Sequence, residues 1–77
     1  MKFTADFSTR EYRGNQICTA DSIGKLISTL EKRGFDFKFN PIKEEIIEWI
    51  KTTEKKYYRT NIVIRRGELE MTEYMSL

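Results

Sequence analysis

The chain has 77 residues, of which 39% are hydrophobic and 34% are charged. A chain of this length is expected to fold as one domain, 1–77, that buries roughly 60% of the surface its unfolded form exposes. Because 14 basic residues nearly balance 12 acidic ones, the net charge of +2 does not by itself indicate a polyanionic partner. The composition favours a small soluble domain over a disordered chain.

Cysteine and histidine usage narrows the available chemistry. Cys18 is the sole cysteine and histidine is absent, so neither an intramolecular disulfide nor a Cys/His zinc site can form. No apolar run reaches the ~20 residues of a membrane span, and the N-terminus lacks the apolar segment of a signal peptide. We expect a cytoplasmic protein with no membrane association, no metal and no cofactor.

Two strands are predicted near the N-terminus. Phe3, Ala5 and Phe7 alternate with polar residues, which is the period-two pattern of a half-buried strand. The Gly-Asn dipeptide at 14–15 suits a tight turn, and a second strand is expected over about 16–19.

The clearest element is a helix expected over about 20–33. Thr19 is its predicted N-cap, and Gly34 ends it because glycine takes the left-handed position after a helix without steric cost. The apolar residues that repeat at helical spacing are Ile23, Leu26, Ile27 and Leu30.

A third strand and a second helix are predicted next. Phe35, Phe37 and Phe39 share one face of an extended chain, which indicates a strand that places three rings on the core. Asn40 and Pro41 then suit the start of a helix, as N-cap and first helical residue. The buried stripe of this helix is expected to contain Ile42, Ile46, Trp49 and Ile50.

The stretch 55–74 is predicted to form a hairpin with Arg66 and Gly67 as its two-residue loop. In this register Ile64 faces Leu69 and Ile62 faces Met71, so the apolar side chains collect on one face. The same alternation places Tyr58 inward and Tyr57 outward.

These elements together predict an α+β fold in the order ββαβαββ. The sheet is expected to be mostly antiparallel, with both helices packed on one of its faces.

The basic part of the predicted hairpin, 55–66, gives one hypothesis about function. In this hypothesis the segment binds nucleic acid: its basic side chains contact phosphates and a tyrosine ring stacks on a base. The alternative interpretation is that two lysines end a helix and two tyrosines begin a strand, and pairing of Arg65 with Glu68 favours it. The candidate residues are Lys55, Lys56, Tyr57, Arg59, Arg65 and Arg66.

Catalytic chemistry is not indicated by any pattern in the chain. No histidine is present to activate a nucleophile, and Cys18 falls in a predicted strand. Glu44 and Glu48 lie on the polar face of the second helix, where carboxylates usually meet water. We expect no catalytic residues and rank a small enzyme third among the function classes.

Two apolar residues suggest a protein interface. Ile47 lies outside the stripe of the second helix, and Val63 points away from the core in the predicted hairpin, although single exposed apolar residues are also normal on soluble proteins. The leading hypothesis is a non-enzymatic binding or regulatory module that engages a protein partner or a second copy of itself. Its size alone suggests an inhibitor-type accessory protein, such as those of phages and mobile elements.

Overall fold

A computed structural model describes residues 2–67 of the chain. The four described strands form one antiparallel sheet in the order β2-β1-β4-β3. Side chains of both helices join one face of this sheet in a single apolar cluster, so the α+β fold class is confirmed. The elements in chain order are β1 (Phe3–Phe7), β2 (Gln16–Ala20), α1 (Ile23–Lys32), α2 (Lys43–Trp49), β3 (Lys56–Arg59) and β4 (Ile62–Arg66).

The two N-terminal strands form where the alternation predicts them. Phe3, Ala5 and Phe7 are all buried, and Ala5 lies opposite Cys18 in the β1–β2 ladder. The tight turn at 14–15 is not formed, because Phe7 pairs directly with Gln16 and the whole segment 8–15 becomes a loop.

Helix α1 begins later than the sequence pattern predicts. Thr19 still belongs to β2, and the N-cap is Ser22, whose Oγ accepts the Lys25 N–H at 3.2 Å. Gly34 takes the predicted left-handed conformation, with φ of 97°. Leu26, Ile27 and Leu30 are buried, as their spacing predicts.

The predicted strand at 35–39 does not form. The Asp36 carboxylate accepts the backbone N–H of Lys38 at 2.8 Å and that of Phe39 at 3.4 Å, which curls this segment into a turn. Phe35 consequently remains buried while Phe39 is 65% exposed. The strands and helices that do form keep their predicted order along the chain.

Helix α2 buries the predicted stripe but has a different N-terminus. Ile42 occupies the N-cap position without a side-chain hydrogen bond, and Asn40 instead donates its Nδ2 to the Asp36 carbonyl at 3.1 Å. Ile46 and Trp49 are buried, and the Trp49 ring meets Phe3 edge-on at 5.9 Å between centroids. This contact fixes α2 against the same sheet face as α1.

The C-terminal hairpin turns at 60–61 and not at 66–67. Ile64 pairs with Ala5 on one side and with Tyr57 on the other, so both edges of β4 are occupied by neighbouring strands. The predicted pairings of Ile62 and Ile64 are therefore wrong, and their expected partners, Leu69 and Met71, lie outside the described residues.

Because of this turn, the two tyrosines lie on the sheet faces opposite to those predicted for them. Directly opposed residues of antiparallel strands share a face, so Tyr57 lies on the buried face with Ile64. Tyr57 is 6% exposed and Tyr58 is 62% exposed, which is the opposite of the prediction.

Candidate protein-binding surface

Two residues of the predicted nucleic-acid surface instead connect β3 to α2. The Arg59 guanidinium forms an ion pair with the Glu45 carboxylate and lies 5.1 Å from the centroid of the Tyr57 ring. The Tyr57 hydroxyl donates to the same carboxylate at 3.3 Å. Burial raises the pKa of Tyr57 to about 12, opposed by Arg59 and assisted by Glu45. Both residues thus belong to the packing of the helix on the sheet.

Arg66 lies at the C-terminal end of α2, where the last carbonyl groups of a helix have no partner within the helix. Its guanidinium lies 4.7 Å from the Trp49 ring centroid, in cation–π contact. Its Nε donates to the Glu54 carbonyl at 2.9 Å, and one Nη donates at 3.2, 3.1 and 2.9 Å to the carbonyls of Trp49, Ile50 and Thr52. This side chain therefore ties the segment 49–54 to the sheet.

The remaining members of the basic run are dispersed. Lys56 lies opposite Arg65 in the β3–β4 ladder, on the sheet face that the helices leave open, and Lys55 is exposed in the loop before β3. Of the six candidates, Arg59 and Tyr57 face α2 and Arg66 lies beneath its C-terminus. The fold does not bring the six side chains together on one surface.

A row of three apolar side chains and one carboxylate crosses the open sheet face. The ladder registers place Tyr58 opposite Val63, Val63 opposite Asp6, and Asp6 opposite Ile17, so one side chain from each strand contributes. None of these four belongs to the buried core cluster. Tyr58 is 62% exposed, and the other three are half-buried. We call these four residues the open-face row.

The surroundings of the open-face row are polar. The neighbouring row on the same face consists of Lys56, Arg65, Thr4 and Thr19. Thr4 is buried, and its Oγ1 donates to the Gly67 carbonyl at 2.6 Å, which satisfies the hydroxyl. The adjoining pair Tyr58 and Val63, bordered by polar side chains that include Asp6, has the general composition of a protein interface, with an apolar centre and a polar rim.

The two predicted interface residues lie on opposite sides of the sheet. Val63 belongs to the open-face row, whereas Ile47 is half-buried on α2, which packs on the other face. They cannot form one continuous surface. The sequence pattern did not identify Ile17 and Tyr58 as surface candidates. A hairpin turn at 60–61, had it been predicted, would have placed Tyr58 outward.

Cys18 lies in the core and not at a reactive surface position. It is 6% exposed and sits on the helix-covered face of β2. Burial raises the pKa of its thiol, against the opposing charge of Arg33. A thiol in this environment is a poor nucleophile near neutral pH.

Within residues 2–67, no three or more cysteine and acidic side chains gather as a possible metal site. In the same part of the chain, no helix has the length and apolar character needed to cross a bilayer. Comparison of the chain with protein-family models, with curated proteins and with solved structures found no match.

Proposed function

We propose that the chain is a non-enzymatic binding module that engages a protein partner through the open-face row. The observation that carries the proposal is the pair of Tyr58 and Val63, which adjoin each other on a sheet face that neither helix covers. Tyrosine is enriched among the residues that contribute most to protein binding, because it combines a large apolar ring with a hydroxyl. Its 62% exposure leaves that area available to a partner.

The sheet face supports this role better than α2 does. Ile47 is a single half-buried side chain, whereas Tyr58, Val63 and Ile17 contribute three apolar side chains to one row. Adjoining apolar side chains, here Tyr58 and Val63, indicate an interaction site, and isolated apolar residues do not; Asp6 separates this pair from Ile17. The row is also bordered by Lys56 and Arg65, which supply a polar rim.

A matched pair of substitutions separates the two surfaces. Val63→Lys places a charge in the open-face row, opposite Asp6, while Ile47→Lys makes the same chemical change on α2. Each position is half-buried, so circular dichroism and thermal unfolding must first show that both variants fold. Tyr58→Ala provides a second, milder change in the row.

Partner capture from nuclease-treated native lysate then tests the proposal. We expect specific co-purifying protein to be lost with Val63→Lys and Tyr58→Ala and retained with Ile47→Lys. Light scattering of the purified chain shows whether the partner is a second copy. Loss of the partner with Ile47→Lys alone would assign binding to α2 and contradict the proposal.

A further inference from the structure

Three connecting segments meet at the end of the sheet where β1 finishes. They are the loop 8–15, the α1–α2 connection at 33–42 and the turn at 60–61. The Ser8 N–H donates to the Asn61 carbonyl at 3.0 Å, and the Asn61 Nδ2 donates to the Asn40 Oδ1 at 3.1 Å. The Arg10 guanidinium also lies 4.3 Å from the centroid of the Phe39 ring. These contacts join the three segments into one surface.

This surface exposes two aromatic rings. Phe39 is 65% exposed and Tyr12 is 54% exposed, and they are two of the three large hydrophobic residues that are exposed within residues 2–67. Local hydrogen bonds hold the backbone at both positions: Asp36 accepts the Phe39 N–H, and the Thr9 hydroxyl accepts the Tyr12 N–H at 3.2 Å. The rings are therefore presented from ordered turns and not from the apolar core.

The same surface concentrates exposed cations. Four basic side chains lie in or beside these segments, and none forms an ion pair with another residue of the described part of the chain. Two acidic residues, Glu11 and Asp36, lie in the same loops, and Asp36 Oδ1 is engaged by backbone N–H groups. The exposed cations are Arg10, Arg13, Arg33 and Lys38. Together with Tyr12 and Phe39 they form what we call the loop-end patch.

We propose that the loop-end patch binds single-stranded nucleic acid, on a surface distinct from the open-face row. Exposed aromatic rings offer stacking surfaces for unpaired bases, and cations that form no ion pair within residues 2–67 are available to backbone phosphates, Arg10 among them while its guanidinium contacts the Phe39 ring. The carboxylates of an acidic protein segment would pair with the cations but would offer no planar group to stack on the two exposed rings. The combination of rings and cations therefore favours nucleic acid over an acidic protein.

Fluorescence anisotropy with labelled oligo-uridine and oligo-thymidine of about 15 nucleotides tests this directly, across a range of salt concentrations. Each phosphate contact contributes about 0.7 to the slope of log affinity against log salt. Joint replacement of Arg10, Arg13 and Lys38 by alanine is expected to flatten the slope by roughly two. Tyr12→Ala and Phe39→Ala should each weaken binding by roughly five- to a hundredfold through lost stacking.

A matched control removes the same amount of charge elsewhere. Joint replacement of the exposed Lys25, Lys55 and Lys56 by alanine leaves the loop-end patch intact and should leave the slope unchanged. Circular dichroism confirms that every variant is folded. Binding no tighter than ~10⁻⁴ M at physiological salt would overturn the proposal. Equal flattening by both triple changes, or indifference to Tyr12→Ala and Phe39→Ala, would overturn it as well.

Discussion

The basic run at 55–66 and the loop-end patch have similar residue types but different environments. Each combines arginine and lysine with aromatic rings. In the basic run Tyr57 is buried, Arg59 is paired with Glu45 and Arg66 is bound to backbone carbonyl groups. In the loop-end patch the rings of Tyr12 and Phe39 are exposed.

This difference shows that a segment with many charged residues in sequence does not necessarily present those charges to a ligand. A strand alternates its side chains between two faces, so a continuous basic run is divided between the core and the solvent. Loops that are distant in the sequence can instead converge at one end of a sheet. The loop-end patch accordingly draws its cations from two loops that are separate in the sequence, whereas the basic run is divided between the two sheet faces.

The largest expected contrast concerns one aromatic ring from each region. Tyr57→Ala removes a ring that packs 6.2 Å from the Trp49 ring in the core, so we expect the free energy of unfolding to fall by about 3–5 kcal/mol. Phe39→Ala removes a largely exposed ring and should change it by no more than about 0.5 kcal/mol. Urea denaturation measures both. Equal losses would show that Phe39 also supports the fold.

The second contrast compares two arginines. Arg66→Ala removes the donor from the carbonyl groups of Ile50, Thr52 and Glu54 together with the contact on the Trp49 ring, and we expect a loss of about 2–3 kcal/mol of stability. Hydrogen exchange should also accelerate in the segment 49–54. Arg66→Lys should not restore stability, because one ammonium group cannot reproduce the planar fork of donors.

The control for this contrast is Arg13→Ala in the loop 8–15. Arg13 is exposed and has no ion pair among the described residues, so its loss should leave both stability and exchange unchanged. If Arg13→Ala destabilised the fold as much as Arg66→Ala, the distinction between a structural arginine and an available one would fail.

The smallest effect concerns the Tyr57 hydroxyl. At neutral pH, Tyr57→Phe removes one 3.3 Å hydrogen bond to a partly exposed carboxylate, so the expected loss is no more than about 1 kcal/mol. Because folding raises this pKa from 10.0 to about 12, the unfolded chain loses the proton first as the pH rises. Tyr57 therefore stabilises the fold below about pH 10, and that contribution is lost between about pH 10 and about pH 12.

Alkaline denaturation checks this sign. The stability of the original chain should decline more steeply above pH 10 than that of Tyr57→Phe. Tyr58→Phe serves as the control, since Tyr58 is exposed, and should follow the original chain. Identical pH curves for the original chain and Tyr57→Phe would contradict the expected raised pKa.

Much of the architecture could be predicted because apolar spacing dominates it. Only a strand buries Phe3, Ala5 and Phe7 on one face, and only a helix does so for the repeat around Leu26 and Leu30. The strand prediction at 35–39 failed because a local hydrogen bond of the Asp36 side chain outcompeted the alternation of its rings.

The candidate surfaces were harder to predict because they depend on one turn. Thr60 and Asn61 form a two-residue connection without the positive φ, or the glycine, that marks a common hairpin turn. Missing that turn exchanged the faces of Tyr57 and Tyr58. The loop-end patch could not be predicted at all, since it depends on contacts between segments far apart in the sequence.

The strand order has a consequence for how the chain folds. β1–β2 and β3–β4 are each neighbours in the sequence, but the centre of the sheet joins β1 to β4, with Phe3 opposite Arg66. Such a contact closes nearly the whole described chain into a loop, which is entropically costly and slow compared with forming a local hairpin. We therefore expect β1 to keep one unpaired edge during synthesis until β4 has left the ribosome, the interval in which an unpaired strand edge is open to mispairing with other strands.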